Sequence, residues 1–239
     1  MWSDGLGSSK IQKYVMTLPE YAMFGMSIAL KGLKDRGYAP NMVFDIGASD
    51  GSWTRQALKV WPQSNFVCFE PLVERRPFLE ALAAEYPRNI SLQFVGIGDA
   101  DCELSFGVTE SLWDSSFAYN GSSNRTVQVR RLDSLYNEGA LSRPSFIKID
   151  VQGFERRVIE GGASLLPTVD FVLMECTFFP FCKEMGTLDE SIAFMATRGF
   201  IPYEFVDFLR RPLDGAMGQC DILFIRRDHA LVADRRWGP

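Results

Sequence analysis

Short apolar runs alternate with segments of helical spacing along most of the chain. The runs are rich in β-branched and aromatic residues and show little alternation of polar and apolar positions, which is typical of strands covered on both faces. This pattern predicts a doubly wound, Rossmann-like α/β fold with helices on both sides of a mostly parallel sheet. The predicted strands are Met42–Ile46, Asn65–Phe69, 91–97, 146–150 and 169–176. The predicted helices are Ser52–Val60, 77–85 and 154–166, with a further turn capped by Asp133.

The first part of the chain is predicted to be helical. The apolar stretch 14–30 contains Thr17 and Glu20 at the spacing of a capping box, and Pro19 between them suits a first helical turn. The same proline and glutamate interrupt the stretch, so it fits neither a signal-peptide core nor a membrane span of about 20 apolar residues. We therefore interpret residues 1–40 as a helical segment that precedes the main domain.

A hairpin is predicted near the other end. Residues 187–199 have a helical pattern, which is followed by two strand-like runs at 200–207 and 220–226. The linker between these runs contains proline and glycine and is short enough for an antiparallel connection. The main domain is accordingly predicted to span 41–227, with 228–239 as a tail.

A long polar loop at 109–125 interrupts the alternation, between two extra β-like runs at 103–108 and 126–131. Loops of this length in a compact domain are more often functional or mobile than without a role. Aromatic side chains in such a loop are suited to stacking on a sugar ring or an apolar metabolite. The aromatic residues that we nominate for a pocket binding such a sugar or metabolite are Trp53, Trp113, Phe117, Tyr119 and those in 177–181.

Composition narrows the range of partners. The chain has 239 residues, and its 25 Lys and Arg against 30 Asp and Glu give a formal net charge of −5, unlike the basic character of nucleic-acid-binding proteins. Five cysteines without a C-x-x-C pair fit neither a disulfide framework nor a zinc ribbon. We expect a cytoplasmic protein with no integral membrane span and no nucleic-acid partner, and the composition leaves its oligomeric state open.

A glycine-bearing turn follows the first predicted strand. The spacing of Gly47 and Gly51 differs from the dinucleotide pattern G-x-G-x-x-G, and the chain contains no G-K-[ST] phosphate loop. Asp45 and Asp50 place carboxylates beside this turn. Each like-charge contact with a pyrophosphate at ~4 Å would cost on the order of 4 kcal/mol there. The turn therefore favours a cationic ligand over a nucleotide phosphate.

Glu70 ends the second predicted strand, 23 residues after Gly47. An acid at that place can accept hydrogen bonds from both hydroxyls of a ribose. S-adenosylmethionine carries an adenosine, a sulfonium and an ammonium group, and so satisfies the requirement for a ribose and for positive charge. An ordinary strand-turn-helix, in which Asp50 or Ser52 caps the helix and Glu70 is a surface acid, is the alternative at this point.

Four strings further along make the chain recognisable: VQVRRLDSL from residue 127, FIKIDVQGFE from 146, VIEGGA from 158 and FVLME from 171. With these strings, residues 43–224 resemble the FkbM family of class I S-adenosylmethionine-dependent methyltransferases. The resemblance implies a seven-stranded sheet whose last strand is antiparallel. It also implies transfer of a methyl group to a hydroxyl oxygen.

The resemblance implies roles for individual residues as well. Glu70 would hold the ribose of the cofactor and Asp99 would lie near its adenine. Two positions depart from the family pattern: Ser49 stands where many class I enzymes have glycine, and Gln152 replaces the usual glutamate and removes one carboxylate. The implied cofactor-binding residues are Asp45, Gly47, Ser49, Gly51, Trp53, Glu70, Pro71, Gly98, Asp99, Ser116 and Asp150.

Methyl transfer to an aliphatic hydroxyl requires a group that takes up the proton or stabilises the developing charge. Asp150 and Glu175 end adjacent predicted strands, so they face one crevice and either is a candidate general base. Lys148 shares the strand face of Asp150 and is expected to steady that acid. A Mg²⁺ ion held by the two acids is the weaker alternative, because a third oxygen ligand is not evident. The sole histidine, His229, lies in the tail and is interpreted as a surface residue.

The sequence thus predicts an S-adenosylmethionine-dependent O-methyltransferase that acts on a small hydroxylated acceptor, a sugar, glycolipid or secondary metabolite. Gln152 and the lack of a histidine among the strands keep a non-catalytic cofactor-binding module open as an alternative. A dinucleotide-dependent oxidoreductase is a second alternative, and the acidic turn argues against it.

Overall fold

The computed structural model describes residues 25–109, 123–180 and 185–236. Thr17 of the predicted capping box and the loop aromatics Trp113, Phe117 and Tyr119 lie outside the described residues. The strands are β1 Met42–Ile46, β2 Asn65–Phe69, β3 Ile90–Gln93, β4 Gly96–Ile97, β5 Cys102–Val108, β6 Ser123–Arg130, β7 Phe146–Ile149, β8 Phe171–Thr177, β9 Phe200–Arg210 and β10 Met217–Arg226. The helices are α1 Met26–Asp35, α2 Ser52–Val60, α3 Arg76–Glu85, α4 Leu132–Asn137, α5 Glu155–Gly161 and α6 Leu188–Ala196.

One sheet contains seven of these strands in the order β3-β2-β1-β7-β8-β10-β9. Neighbouring strands from β3 to β8 are parallel, whereas β10 runs antiparallel to both β8 and β9. Parallel neighbours need crossover connections, and the helices of these connections cover the faces of the sheet. The predicted doubly wound fold with an antiparallel last strand is confirmed.

The central strands are buried on both faces, which explains why their apolar residues do not alternate with polar ones. On β7, Ile147 packs into a cluster that includes Val158 of α5, on one face of the sheet. Its neighbour Phe146 packs on the opposite face against Leu30 of α1 and Trp53 of α2. The core is therefore two apolar layers separated by the sheet.

The predicted strand 91–97 is wrong as a single element. The chain pairs with β2 only as far as Gln93, opposite Phe69, because β2 ends there. Gly96 and Ile97 then pair with β6 in a second, three-stranded sheet of order β4-β6-β5. A change of hydrogen-bonding partner does not alter the apolar pattern, so the break at residues 94–95 left no signal in the sequence.

Two predicted helical boundaries also differ. The predicted helix 154–166 ends at Gly161, because consecutive glycines disfavour continuation of the helix and Pro167 follows in a 3₁₀ turn. Asp133 does not cap a turn; it lies inside α4, and its carboxylate accepts hydrogen bonds from the N–H and Oγ of Ser164. The carboxylate thereby ties α4 to the segment that follows α5.

Helix α1 brings the N-terminal part of the described chain onto the sheet. Leu30 and Leu33 are fully buried, and the Nε1–H of Trp53 in α2 donates to Sδ of Met26 at 3.2 Å. The helix ends at Asp35, and Gly37 takes a left-handed φ of +85° just beyond it. Because α1 packs on α2, Met26 comes to lie beside the carboxyl edge of β1.

Candidate active site

A cavity of about 290 Å³ opens at the carboxyl ends of β1, β2, β7 and β8. Ligands bind at this edge of open α/β sheets. The polar side chains that line it on the described part of the chain are Ser49, Ser52, Glu70, Lys148, Asp150, Gln152, Glu175, Gln219 and Asp221. Its apolar wall includes Met26, Trp53, Pro71, Leu72, Phe106 and Leu209.

The turn after β1 is held in one shape by its neighbours. Gly47 has a φ of +76°, and a Cβ atom on it would lie 1.9 Å from the carbonyl oxygen of Asp150. The N–H groups of Gly47 and Ala48 both donate to the carbonyl oxygen of Phe69 at 3.0 Å. Ser49 follows with a φ of +49°, which is a left-handed conformation for a residue with a side chain. Backbone contacts from β2 and β7 thus fix a turn whose residues 47–49 line the cavity.

Glu70 anchors the same turn from the end of β2. Its Oε2 accepts from the N–H of Ser49 and its Oε1 from the N–H of Leu72, both at 2.9 Å. Burial raises the pKa of the Glu70 carboxyl, while the two backbone hydrogen bonds act in the opposite direction. Glu70 is therefore not a surface acid: it is 5% exposed and lines the cavity.

Lys148 is paired mainly with Asp45, which corrects the expectation that it steadies Asp150. Its Nζ lies 3.0 Å from Oδ1 of Asp45 and donates to the carbonyl oxygen of Gly47 at 2.7 Å, whereas Oδ2 of Asp150 is 3.7 Å away. Burial alone would lower the pKa of Lys148, but the carboxylates of Asp45 and Asp150 outweigh it and raise that pKa. The lysine stays charged because β1 places Asp45 directly opposite it.

Asp45 itself faces away from the cavity. It is fully buried, and Oγ1 of Thr54 donates to its Oδ2 at 2.5 Å while Lys148 pairs with Oδ1. Asp45, which the resemblance implies as a cofactor-binding residue, is not among the residues that line the cavity. Its carboxylate instead serves the ion pair that joins β1 to β7.

The side-chain amide of Gln152 bridges two carboxyl groups, those of Asp150 and Glu175. The Nε2 of Gln152 donates to Oδ1 of Asp150 at 2.9 Å and to Oε2 of Glu175 at 3.4 Å. From β10, Nε2 of Gln219 donates to Oε1 of Glu175 at 2.5 Å. The predicted pair of acids is thus brought together at one end of the cavity. The glutamine that departs from the family pattern supplies a donor where a glutamate would add a third negative charge.

The structure adds Asp221 to this group, which the sequence analysis missed. Asp221 lies opposite Glu175 in the antiparallel register of β10 and β8, and both line the cavity. Burial raises the pKa of Glu175 to about 9 and that of Asp221 to about 7, and the nearby carboxylates add to both shifts. An acid inside the otherwise apolar run 220–226 was the signal that could have found it.

The turn between β7 and α5 is capped by Glu155. Oε1 of Glu155 accepts from the N–H groups of Val151 and Gly153 at 3.3 and 3.0 Å. Gln152 within this turn has a φ of +53°. Because such a conformation is uncommon for a residue with a side chain, the turn holds the bridging amide of Gln152 at a cost in backbone energy.

Three other expected cofactor residues do not line the cavity. Gly51 packs on α3, where a Cβ would lie 2.5 Å from Leu82. Gly98 is enclosed by Phe154 and Val129, and Asp99 lies 3.5 Å from Arg157 on the surface. Residues 95–97, which directly precede Gly98, line the cavity instead. Ser116 lies outside the described residues.

The sole histidine lies away from the cavity. His229 is partly buried, with its ring edge-on to Tyr38 and Phe171, and its Nδ1 accepts from the N–H of Leu231. It does not line the cavity and packs at the amino end of β8.

Within the described ranges, no three His, Cys, Asp or Glu side chains are grouped closely enough to hold a metal ion. Nor does any described helix have the length and apolarity needed to cross a membrane.

Comparison with curated proteins gives two relatives. The 2-O-methyltransferase NoeI of Sinorhizobium fredii is 29% identical over 153 residues, covering 56% of this chain and 62% of the relative. The hexuronic acid methyltransferase AglP of Haloferax volcanii is 21% identical over 151 residues, covering 63% of this chain and 62% of the relative. The chain thus spans less than two thirds of the length of either protein.

The fold comparison agrees. A crystal structure of methyltransferase FkbM from Methylobacillus flagellatus KT superimposes with a TM-score of 0.51 at 16% identity, covering 77% of this chain and 43% of that one. The family model described as Methyltransferase FkbM domain matches residues 45–202, which is more than half of the chain and includes the turn at Gly47, Glu70, Asp150 and Glu175. The protein therefore belongs to the FkbM methyltransferase family.

Proposed function

We propose that the protein is an S-adenosylmethionine-dependent O-methyltransferase that acts on a hydroxyl of a sugar, glycolipid or secondary metabolite. The observation that carries the proposal is the acid-lined cavity over the glycine turn, at the sheet edge where this fold binds ligands. Family membership supports methyl transfer, and it favours this activity over a dinucleotide-dependent oxidoreductase. The name of NoeI, a 2-O-methyltransferase, supports transfer to oxygen, and that of AglP, a hexuronic acid methyltransferase, supports a carbohydrate acceptor.

The residues present fit the proposed cofactor. Four carboxyl groups line the cavity, those of Glu70, Asp150, Glu175 and Asp221, against the single ammonium of Lys148 among the described lining residues. Such a wall attracts a sulfonium and an ammonium group. Each oxygen of Glu70 accepts one backbone N–H and keeps a second lone pair, with which it can accept a ribose hydroxyl.

When bound, S-adenosylmethionine supplies a methyl carbon that its sulfonium has already activated. The work left to the protein is to align the acceptor oxygen, exclude water and take up the hydroxyl proton. Glu175 is the group we assign to the proton, because it is partly buried and lines the cavity, and because its pKa of about 9 makes its ionised form a strong base. The amides of Gln152 and Gln219 hold the Glu175 carboxyl in place.

Asp150 and Lys148 have different parts in this arrangement. The Asp150 side chain is 45% exposed and lines the cavity, so it is free to orient an acceptor hydroxyl or the cofactor ammonium. Lys148 holds the carbonyl of Gly47 and the carboxylate of Asp45, so it acts as a positioning residue for the turn. The expected catalytic residues therefore divide into one base, one orienting acid and one positioning lysine.

Two measurements test the proposal together. Calorimetry on the purified protein should detect binding of S-adenosylmethionine and S-adenosylhomocysteine, with weaker or no binding of NAD⁺. Incubation with a panel of hydroxylated acceptors should then release S-adenosylhomocysteine. Binding without turnover on any acceptor would favour the non-catalytic module, and tighter binding of NAD⁺ would contradict the cofactor assignment.

A further inference from the structure

Three acids line one end of the cavity on three consecutive strands of the sheet. Asp150 follows β7, Glu175 lies on β8 and Asp221 lies on β10, opposite Glu175. Glu70 belongs to the other end, because it follows β2, and β1 lies between β2 and these strands in the sheet order. The acids of β7, β8 and β10 therefore surround the part of the cavity farther from the proposed ribose site.

Only one described cation, Lys148, reaches this end of the cavity, where its Nζ lies 3.7 Å from Oδ2 of Asp150. It is 6% exposed and is held more closely by Asp45 at 3.0 Å and by the Gly47 carbonyl at 2.7 Å. The other polar side chains there, Gln152 and Gln219, are neutral amides that already donate to the acids. Carboxylates and amides are hydrogen-bonding partners for hydroxyl groups, whereas they offer an anionic group no opposite charge.

The proposed cofactor does not supply the missing charge either. Its sulfonium, ammonium and carboxylate sum to a single positive charge, while the described residues of the lining carry four carboxyl groups against one ammonium. When Glu175 is ionised, as it must be to act as a base, the described lining therefore keeps a negative surplus after the cofactor binds. An anionic acceptor would then lie beside carboxylates with no cation among the described residues left to pair with it, which is unfavourable.

We propose that the acceptor group bound between Asp150, Glu175 and Asp221 is an uncharged sugar or polyol with adjacent hydroxyls, and that uronates and phosphorylated sugars are rejected. The inference rests on the proposed function, since it names the acceptor of the same site. It sets this chain apart from the relative whose name specifies a hexuronic acid.

A matched set of acceptors tests the inference: an alkyl glucoside, the corresponding glucuronide, and the methyl ester of that glucuronide. The ester has nearly the shape of the glucuronide but carries no charge. We expect the glucoside and the ester to exceed the glucuronide in kcat/KM by at least about tenfold, a difference a single charged contact can produce. A glucuronide that is methylated as well as its ester would overturn the inference while leaving the O-methyltransferase function intact.

Variants locate the source of the preference. Asp221→Asn should reduce the ratio of kcat/KM for the ester to kcat/KM for the glucuronide several-fold, because one carboxylate is removed from the acceptor end. Asp207→Asn is the matched control, since Asp207 pairs with Asp221 across β9 and β10 but is exposed and does not line the cavity. An equal effect of both variants would contradict the assignment.

Saturation-transfer NMR on the protein loaded with S-adenosylhomocysteine separates this inference from the proposed function. Binding of the glucoside and ester but not of the glucuronide supports charge selection even when none is methylated, in which case it is the proposed function that fails. Binding of the glucuronide alone, or equally of all three, would overturn the inference whatever the turnover.

Discussion

At Gly47 both the backbone conformation and the space around the α-carbon require a residue without a side chain. The left-handed φ of +76° disfavours a side chain, and the carbonyl of Asp150 occupies the place where a Cβ would be. This close approach joins the turn after β1 to the end of β7, and so positions the lining residues 47–49 against Asp150. A single glycine thus sets the distance between two walls of the cavity.

Replacement of Gly47 by alanine should therefore destabilise the protein more than the conformation alone explains. Gly139→Ala is a matched control, because Gly139 has a φ of +77° and open space around it. The control should lose about 1–2 kcal/mol in free energy of unfolding, the cost of a left-handed conformation. Gly47→Ala should lose more, measured by urea denaturation. Equal losses in the two variants would mean that the contact with Asp150 yields readily.

Glu175 is the residue on which the proposed chemistry depends most. Glu175→Gln keeps the shape of the side chain and should lower kcat by about 10²–10⁴-fold, the usual contribution of a general base, with S-adenosylhomocysteine affinity little changed. In the wild type, kcat/KM should rise with pH toward the Glu175 pKa of about 9, because the base must be ionised to accept a proton. A flat profile in an active wild-type enzyme, or a fully active variant, would remove Glu175 from this role.

At the scale of elements, β1 and β7 are joined by a buried ion pair as well as by backbone hydrogen bonds. Lys148 on β7 and Asp45 on β1 are opposite in register and 3.0 Å apart at their charged atoms. Burial makes such a pair costly to break, since either partner alone would be left charged and without compensation. Through Lys148 the pair also contacts the carbonyl of Gly47, in the turn after β1.

Lys148→Met should therefore lower the free energy of unfolding by roughly 3–5 kcal/mol, because it leaves the Asp45 carboxylate buried and unpaired. The double variant Lys148→Met with Asp45→Asn should recover part of this loss. Thermal and urea unfolding of the four proteins in the cycle give the coupling between the two residues. Additive losses would show that the pair contributes nothing beyond its separate members.

Elements whose signal is local were predictable from the sequence, and those set by partners across the sheet were not. The bounds of β1 and β2, the glycine turn and the acids at Glu70, Asp150 and Glu175 follow from apolar runs and from what ends them. The partner of Lys148 depends on strand register, which no local pattern specifies. Asp221 lies beside Glu175 because β10 pairs with β8. The break after Gln93 depends on where β2 ends.

At the scale of the whole molecule, buried acids in and beside the cavity make the free energy of unfolding depend on pH. Burial and like charge raise the pKa values of Glu155 and Asp221 to about 7 and that of Glu175 to about 9, well above those of the unfolded chain. Between the unfolded pKa values of about 4 and the folded values of about 7 to 9, the folded state therefore binds more protons than the unfolded state. The contribution of these acids to the free energy of unfolding is fully present below about pH 4 and is lost as the pH rises through their folded pKa values.

The free energy of unfolding should accordingly fall between about pH 6 and pH 8.5, by the linkage of protonation to folding. Glu175→Gln should reduce the slope, since its amide does not ionise. Urea titrations at a series of pH values, at constant ionic strength, give both slopes. A stability that rises with pH over this range would contradict the raised pKa values.

The central claim is that the cavity between the Gly47 turn, Glu70 and Asp150 binds the methyl donor, and a crystal structure with S-adenosylhomocysteine tests it most directly. The account predicts the ribose hydroxyls at hydrogen-bond distance from Glu70 and the sulfur facing the end of the cavity that holds Asp150 and Glu175. An adenosine group bound elsewhere on the molecule, or a cavity that stays empty at saturating ligand, would contradict it.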